Sequence, residues 1–164
     1  DILQKFAQKY KKSWFKMMRE KLGLLGEDSN DEQLIVELLS WMHQNKADYT
    51  NTFCHLMGEL KIDDETYKKQ QFTDWKHRWK IRCKAYNNTL QKSLEIMQKA
   101  NPLIIPRNHL VEEALNAATE KNDLTKIYKL LDTIERPYKN SSEISSYQYF
   151  PASKDKIYKT FCGT

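Results

Sequence analysis

The sequence predicts an all-α fold, a compact bundle of about six helices followed by an irregular C-terminal arm. Only four glycines and four prolines occur in 164 residues, and so few turn residues favour long helices over many short strands. Apolar residues recur at helical spacing through most of the chain. This periodicity fails from Tyr138 onward, so we expect one helical domain over residues 1–137 and an ordered, non-helical tail over residues 138–164.

Three helices are expected in the first sixty residues. The first spans residues 2–22 and stops at Gly23, a residue that suits helix C-termini. The second spans residues 31–44, and the third begins at Asp48, whose side chain can cap it, and continues to about residue 60. The apolar stripe of the first helix contains Leu3, Phe6, Tyr10, Trp14, Met17 or Met18, and Leu22.

The middle of the chain contains an aromatic stripe at helical spacing. Acidic residues 63–65 suit the start of a segment, and a helix over residues 72–86 follows, before Asn87 and Asn88 break the chain ahead of a helix over residues 90–97. The stripe of the helix over residues 72–86 contains Phe72, Trp75, Trp79 and Cys83.

Residues 101–113 read as a proline-bracketed connector that opens a helix. Pro102 and Pro106 cannot lie inside a helix or a central strand, and they flank Leu103 to Ile105. We therefore expect a rigid, extended and largely buried connector. The following side chains, Arg107, Asn108 and His109, can bond neighbouring backbone groups at the helix start.

Two further helices are expected after the connector. One runs to about Lys121, and the other is capped by Asp123 and ended by Pro137. The residues predicted to face the core are Leu110, Ala114, Leu115 and Ala118 in the first, and Leu124, Ile127, Leu130, Leu131 and Ile134 in the second.

The net charge of +5 is concentrated in two basic segments, residues 1–21 and residues 68–84. Such segments can attract phosphate or acidic partners, although most charged stretches of this kind are solvated helix faces. No apolar run approaches the roughly 18 residues of a membrane helix, so no membrane partner is expected. The first residue is Asp1, and we interpret the chain as a piece of a longer protein.

No residue pattern in the chain predicts an active site. His43, His55, His77 and His109 show no zinc-ligand spacing, and the four glycines form no phosphate-binding loop. The acidic clusters are explained more simply as capping or solvated residues. We therefore expect no catalytic, cofactor-binding or metal-ligating residue in this stretch.

The helix over residues 72–86 combines tryptophans with arginines, and two interpretations stay open. Trp75, Trp79, Arg78 and Arg82 could bind single-stranded nucleic acid by stacking and charge. Tryptophans four residues apart on an apolar face are, however, usually core residues. Nucleic acid is therefore not the expected partner, and the alternative function is a stand-alone helical interaction or nucleic-acid-binding module.

The three cysteines differ in their surroundings. Cys54 and Cys83 fall on helical faces and fit small core residues, whereas Cys162 lies two residues from the final Thr164. The odd count, without short spacings, argues against a secreted disulfide framework and fits a reducing compartment. A near-terminal thiol that met another cysteine could tether the tail by a reversible disulfide.

Several segments, taken in order, resemble the C-terminal region of the selenoprotein O (SelO) family. They are Met17–Leu24, Asp48–Phe53, Trp75–Arg82, Asn101–Asn108 and the cysteine near the end. The resemblance implies a parent with a protein-kinase-like fold that transfers AMP from ATP to Ser, Thr or Tyr hydroxyls of substrate proteins, with a divalent metal such as Mg²⁺.

The same resemblance assigns the nucleotide- and metal-binding residues to a kinase-like part that would precede residue 1. The chain itself would then be an inactive helical scaffold or regulatory part whose partner is that kinase-like part. Cys162 matches the family's near-terminal selenocysteine or cysteine, which implies a redox bridge to the kinase-like part. Cysteine at this position suggests a bacterial, cytoplasmic member.

Overall fold

The computed structural model describes residues 2–140 and 144–149, and within these residues it contains α-helices, one short 3₁₀ helix and no β-strand. The predicted all-α fold is confirmed. The helices are α1 (Ile2–Lys21), α2 (Asp31–Asn45), α3 (Tyr49–Met57), the 3₁₀ helix (Glu65–Lys68), α4 (Gln70–Cys83), α5 (Leu90–Ala100), α6 (Asn108–Lys121), α7 (Thr125–Ile134) and α8 (Ile144–Gln148).

The core lies among α2 to α5 and the C-terminal end of α1, which together we call the bundle. Trp75 and Trp79 stack with nearly parallel rings at a centroid distance of 6.3 Å, and both are buried. Each indole N–H donates to a backbone carbonyl at 2.8 Å, that of Leu34 for Trp75 and that of Leu22 for Trp79. Burial therefore leaves neither indole N–H unsatisfied, and the prediction that these tryptophans are core residues is confirmed.

Two predicted helix boundaries have a clear physical cause. The Asp48 side chain accepts a hydrogen bond from the backbone N–H of Asn51 at 2.8 Å and so caps α3, as predicted. Gly23 has a φ of +65° just after α1, and a Cβ there would lie 2.3 Å from the carbonyl oxygen of Ser93 on α5. Glycine is thus required where the end of α1 crosses α5.

The proline connector is extended and mostly buried, as predicted. Asn101, Leu103 and Ile104 are buried, although Pro106 is exposed. The backbone N–H groups of Leu103 and Ile104 both donate to the carbonyl oxygen of Pro137, at 2.7 and 3.3 Å. The connector is therefore bonded to the chain just after α7.

Helices α6 and α7 form a hairpin that packs chiefly on itself, which corrects part of the sequence analysis. Ala114 is buried as predicted, but Leu115, Leu124 and Leu131 are exposed, and Leu110, Ala118, Ile127, Leu130 and Ile134 are only partly buried. None of the residues of α7 is buried. The apolar spacing correctly predicted helix α7. It did not predict that these side chains stay exposed, which follows because α7 has α6 as its main packing neighbour.

The first half of α1 extends beyond the bundle. Phe6 and Tyr10 belong to the predicted apolar stripe, yet they are 67% and 62% exposed. Their rings stack on each other at a centroid distance of 6.4 Å. Later in the stripe, Trp14 is partly buried and packs against the core, and Met18 and Leu22 are buried within it.

The predicted non-helical tail contains one helix. Helix α8 buries Ile144, Tyr147 and Gln148, so the prediction is wrong for this segment, where tertiary burial stabilises a helix of only five residues. The rest of the arm beyond Tyr149, including Cys162, lies outside the described residues. Among the helices that are described, none is long and apolar enough to cross a membrane.

Candidate functional site

A buried polar cluster at the start of α6 connects three distant segments of the chain. The guanidinium group of Arg107, which is 5% exposed, donates two hydrogen bonds to the carboxylate of Asp48, at 2.5 and 3.0 Å. It also donates to the side-chain oxygen of Asn51 at 3.0 Å and to the backbone oxygen of Tyr147 at 3.1 Å. We call Asp48, Asn51, Arg107, Tyr147 and Gln148 the joint.

The chemistry of the joint suits an arginine. A buried guanidinium must be paired, and its planar fork matches a carboxylate with two parallel hydrogen bonds. Asp48 is thereby used twice, since the oxygen that accepts from Arg107 at 3.0 Å also caps α3. The charge of Arg107 is neutralised by the carboxylate of Asp48. The joint therefore positions the segments that it connects.

Gln148 fixes helix α8 to the bundle. Its backbone oxygen accepts from the Asn51 side chain at 2.7 Å, and its side-chain oxygen accepts from the Lys61 backbone N–H at 2.8 Å. Its side-chain NH₂ donates to the backbone oxygen of Glu59 at 3.0 Å. Burial of the Gln148 amide is therefore compensated by hydrogen bonds. The same bonds fix the C-terminal end of α8 on the bundle.

Tyr147 extends the same anchor to the hairpin. Its side chain is buried, and its hydroxyl hydrogen-bonds the hydroxyl of Thr133 on α7 at 3.1 Å. Helix α8 thus lies between the bundle, which holds Gln148, and the hairpin, which is held through Tyr147.

The sequence analysis missed the long-range role of Arg107. It predicted bonds to neighbouring backbone groups, but the Arg107 side chain makes no capping bond to α6 and instead reaches Asp48 and Asn51. A signal was present in the sequence, because one arginine directly follows a connector predicted to be buried. The identity of its partners could not be read, since they are 56 and 59 residues away.

The cysteines in the described residues are core thiols. Cys54 and Cys83 are buried, as predicted. Burial, with a smaller contribution from the negative charge of Asp48, raises the pKa of Cys54 to about 11, and burial also raises the pKa of Cys83. Both are therefore protonated and unreactive near neutral pH.

One histidine has an unusual environment. The ring of His55 stacks on Tyr67 at a centroid distance of 4.3 Å, and its Nε2 lies 3.1 Å from the Lys76 ammonium nitrogen. Burial, reinforced by the positive charge of Lys76, lowers the pKa of His55 to about 4. His55 is therefore neutral at pH 7, and its Nε2 can accept a hydrogen bond from Lys76.

The two arginines of the nucleic-acid hypothesis are both ion-paired. Arg82 donates to both carboxylate oxygens of the buried Asp31, at 2.7 and 3.1 Å. Arg78 pairs with Glu37 at 2.5 Å, and this hydrogen bond lowers the pKa of Glu37. Since Trp75 and Trp79 are buried as well, the four residues of that hypothesis form no stacking platform.

No group of three or more His, Cys, Asp or Glu side chains lies close enough to hold a metal ion within residues 2–140 and 144–149. The same residues contain no glycine-rich phosphate loop.

Comparison with known proteins identifies the family. The family described as "Protein adenylyltransferase SelO" matches residues 1–135. Proteins named "Protein nucleotidyltransferase YdiU" are similar over nearly the whole chain: that of Pelagibacter ubique is 46% identical over 100% of this chain, that of Alcanivorax borkumensis 42% over 99%, and that of Bacillus cytotoxicus 40% over 100%.

The chain spans about a third of the length of these relatives, 34% for the first two and 33% for the third. The joint residues Asp48, Asn51 and Arg107, and helices α1 to α7, all lie within the range matched by the family. The resemblance noted from short segments of the sequence is confirmed. The chain belongs to the SelO family.

Proposed function

We propose that this chain is the C-terminal helical part of a longer protein adenylyltransferase, which transfers AMP from ATP to Ser, Thr or Tyr hydroxyls of other proteins. The observation that carries the proposal is the SelO family match over residues 1–135. The length of the relatives supports it further, since about two thirds of each lies outside the region similar to this chain. We assign the binding of ATP and Mg²⁺ to that remaining, kinase-like part.

Within this parent the chain acts as a scaffold for the kinase-like part. The support is the exposed first half of α1, where Phe6 and Tyr10 project from the bundle and stack on each other. Contiguous apolar side chains that the chain's own core does not cover are typical of contact sites. In this proposal the kinase-like part of the parent covers them.

The first test concerns catalysis by the intact parent and by this chain alone. The parent should label a substrate protein with AMP from ATP, and the chain alone should neither transfer AMP nor bind ATP in calorimetry. Micromolar affinity of the chain alone for ATP would contradict the assignment. Salt-sensitive nucleic-acid binding that is lost in Arg78→Glu and Arg82→Glu variants would instead favour the alternative module.

Regulation through Cys162 is the second part of the proposal. The Cys162 thiol and a thiol of the kinase-like part form a disulfide, and their two electrons and two protons reduce glutathione disulfide to two glutathione molecules. The anchoring of Gln148 supports this role, because Cys162 follows it by only fourteen positions in the sequence. A chain of that length reaches at most about 50 Å when fully extended.

The redox test compares AMP transfer by the intact parent before and after DTT. Wild-type transfer should change on reduction, and Cys162→Ala should abolish the change. Cys54→Ala is the matched control and should keep the DTT response, since burial keeps the Cys54 thiol protonated. An identical DTT response in wild type and Cys162→Ala would exclude gating by Cys162.

A further inference from the structure

The outward face of helix α7 is uncovered along its length. Leu124, Tyr128 and Leu131 are 44%, 64% and 46% exposed. Successive residues turn by about 100° in an α-helix, so positions 124, 128 and 131 fall within one narrow sector. They form a continuous apolar stripe over two turns, which we call the α7 stripe.

The α7 stripe is separate from the contact between α7 and α6. Ile127, Leu130 and Ile134 are partly buried, and by the same rotation they lie in the adjoining sector on one side of the stripe. Asp132 and then Lys129 follow on its other side, and Lys126 lies on the far side of the helix. Leu130 also packs against the core, and Thr133 bonds Tyr147 of α8. The apolar part of α7 is nevertheless wider than the surface that α6 and these contacts cover.

Helix α7 buries little surface of its own, although Leu110 of α6 and Leu130 of α7 pack against the core. Helix α7 has ten residues and none of them is buried, and helices this short are marginal in water without tertiary packing. Its ties to the remainder of the described chain include the Thr133–Tyr147 hydrogen bond and the bonds between Pro137 and the connector. A further surface against the α7 stripe would stabilise the hairpin.

We infer that the α7 stripe is a second docking surface, and that its occupant is the part of the parent outside this chain. The inference rests on the proposed function. It is supported by the relatives, in which the region similar to this chain, hairpin included, is contained in proteins about three times as long. Three large apolar side chains with charged residues beside them match the apolar centre and polar rim of a protein–protein contact.

The test is hydrogen–deuterium exchange in the intact parent. Docking should slow exchange of the α7 amides, and Leu131→Asp should speed that exchange by about tenfold or more, because a carboxylate in an apolar contact is costly. Ile81→Asp is the matched control, since Ile81 is an exposed apolar residue on α4. It should leave α7 exchange unchanged. Tyr128→Lys provides a second variant if Leu131→Asp unfolds the hairpin.

The outcomes separate this inference from the proposed function. Equal α7 exchange in the wild-type parent, Leu131→Asp and Tyr128→Lys would overturn the docking surface even if the parent transfers AMP. Slow exchange that depends on protein concentration would assign the stripe to a second copy and would also overturn it. If α7 is protected and the variants release it while the parent shows no AMP transfer, the docking surface stands and the proposed activity fails.

Discussion

The bundle and the α6–α7 hairpin are built from similar amphipathic helices, yet they differ in what covers their apolar residues. In the bundle, side chains such as Trp79 and Phe53 are almost completely buried among several helices. In the hairpin, α7 has no buried residue and exposes Tyr128 and Leu131. The bundle is thus stabilised by contacts within the chain, whereas the hairpin leaves apolar surface for contacts with something else.

The joint lies where these two regions meet. Arg107 begins α6, Asp48 begins α3, and helix α8 supplies Tyr147 and Gln148 from the tail. A buried, fully paired guanidinium fixes geometry rather than adding much net stability. We therefore interpret the joint as the element that fixes the hairpin and helix α8 relative to the bundle.

The largest expected effect compares one aromatic residue from each region. Trp79→Ala should lower the free energy of unfolding by about 3–5 kcal/mol, because it leaves a large cavity in the bundle. Tyr128→Ala should change it by less than about 0.5 kcal/mol, because Tyr128 is exposed. Urea denaturation of this chain measures both values. A loss of several kcal/mol for Tyr128→Ala would mean that the hairpin shares the core of the bundle.

The next effect concerns the joint. Arg107→Ala should destabilise the chain by about 3 kcal/mol, because Asp48 and Asn51 lose their buried partner. Arg107→Lys should lose less, since it keeps the charge but not the paired hydrogen bonds. Thermal melts of the chain, compared with the kinetics of the intact parent, distinguish a structural from a chemical role. A chemical role would follow if Arg107→Ala melted like wild type but abolished AMP transfer.

The pH dependence of stability should originate partly in the bundle. The pKa of His55 is about 4 in the folded chain, against 6.5 ordinarily, so the unfolded chain binds more protons between these values. The His55 contribution is fully present above pH 6.5, falls as the pH decreases, and reaches its limit below about pH 4. The slope from His55 should stay below about 1.4 kcal/mol per pH unit, the limit for a single proton.

His55→Gln tests this assignment. As the pH falls from 7 to 4, the unfolding free energy of the wild type should decrease relative to that of the variant. Only the wild type contains the partly buried His55, whose folded form resists protonation. A difference that stays constant over this range would show that His55 does not contribute to the pH dependence.

The smallest effect is expected at the boundary between the two regions. Pro106→Ala should destabilise the chain by about 0.4–1 kcal/mol, because alanine gives the unfolded chain more conformational freedom. Pro106 is exposed, so little packing is lost. A loss above about 2 kcal/mol in thermal or urea denaturation would mean that the ring makes a tertiary contact needed by the joint.

The sequence predicted the helices well because capping residues and apolar spacing are local signals. Asp48 and Gly23 each act within a few residues of their own position, and both were identified. The direction of Leu124 and Leu131 could not be predicted, because apolar spacing identifies a face but not the element that covers it. The partners of Arg107 depend on the folded chain. Cys162 stood out by its near-terminal position, but the kinase-like partner expected for it came only from the family resemblance.

The most direct test of the contrast between the two regions is amide exchange along this chain on its own. The amides of α2, α4 and α5 should exchange only through global unfolding, while those of α7 should exchange much faster through local opening of the hairpin. If the α7 amides were protected as strongly as those of α4, contacts within this chain would already stabilise the hairpin. The proposed difference between the bundle and the hairpin would then be wrong.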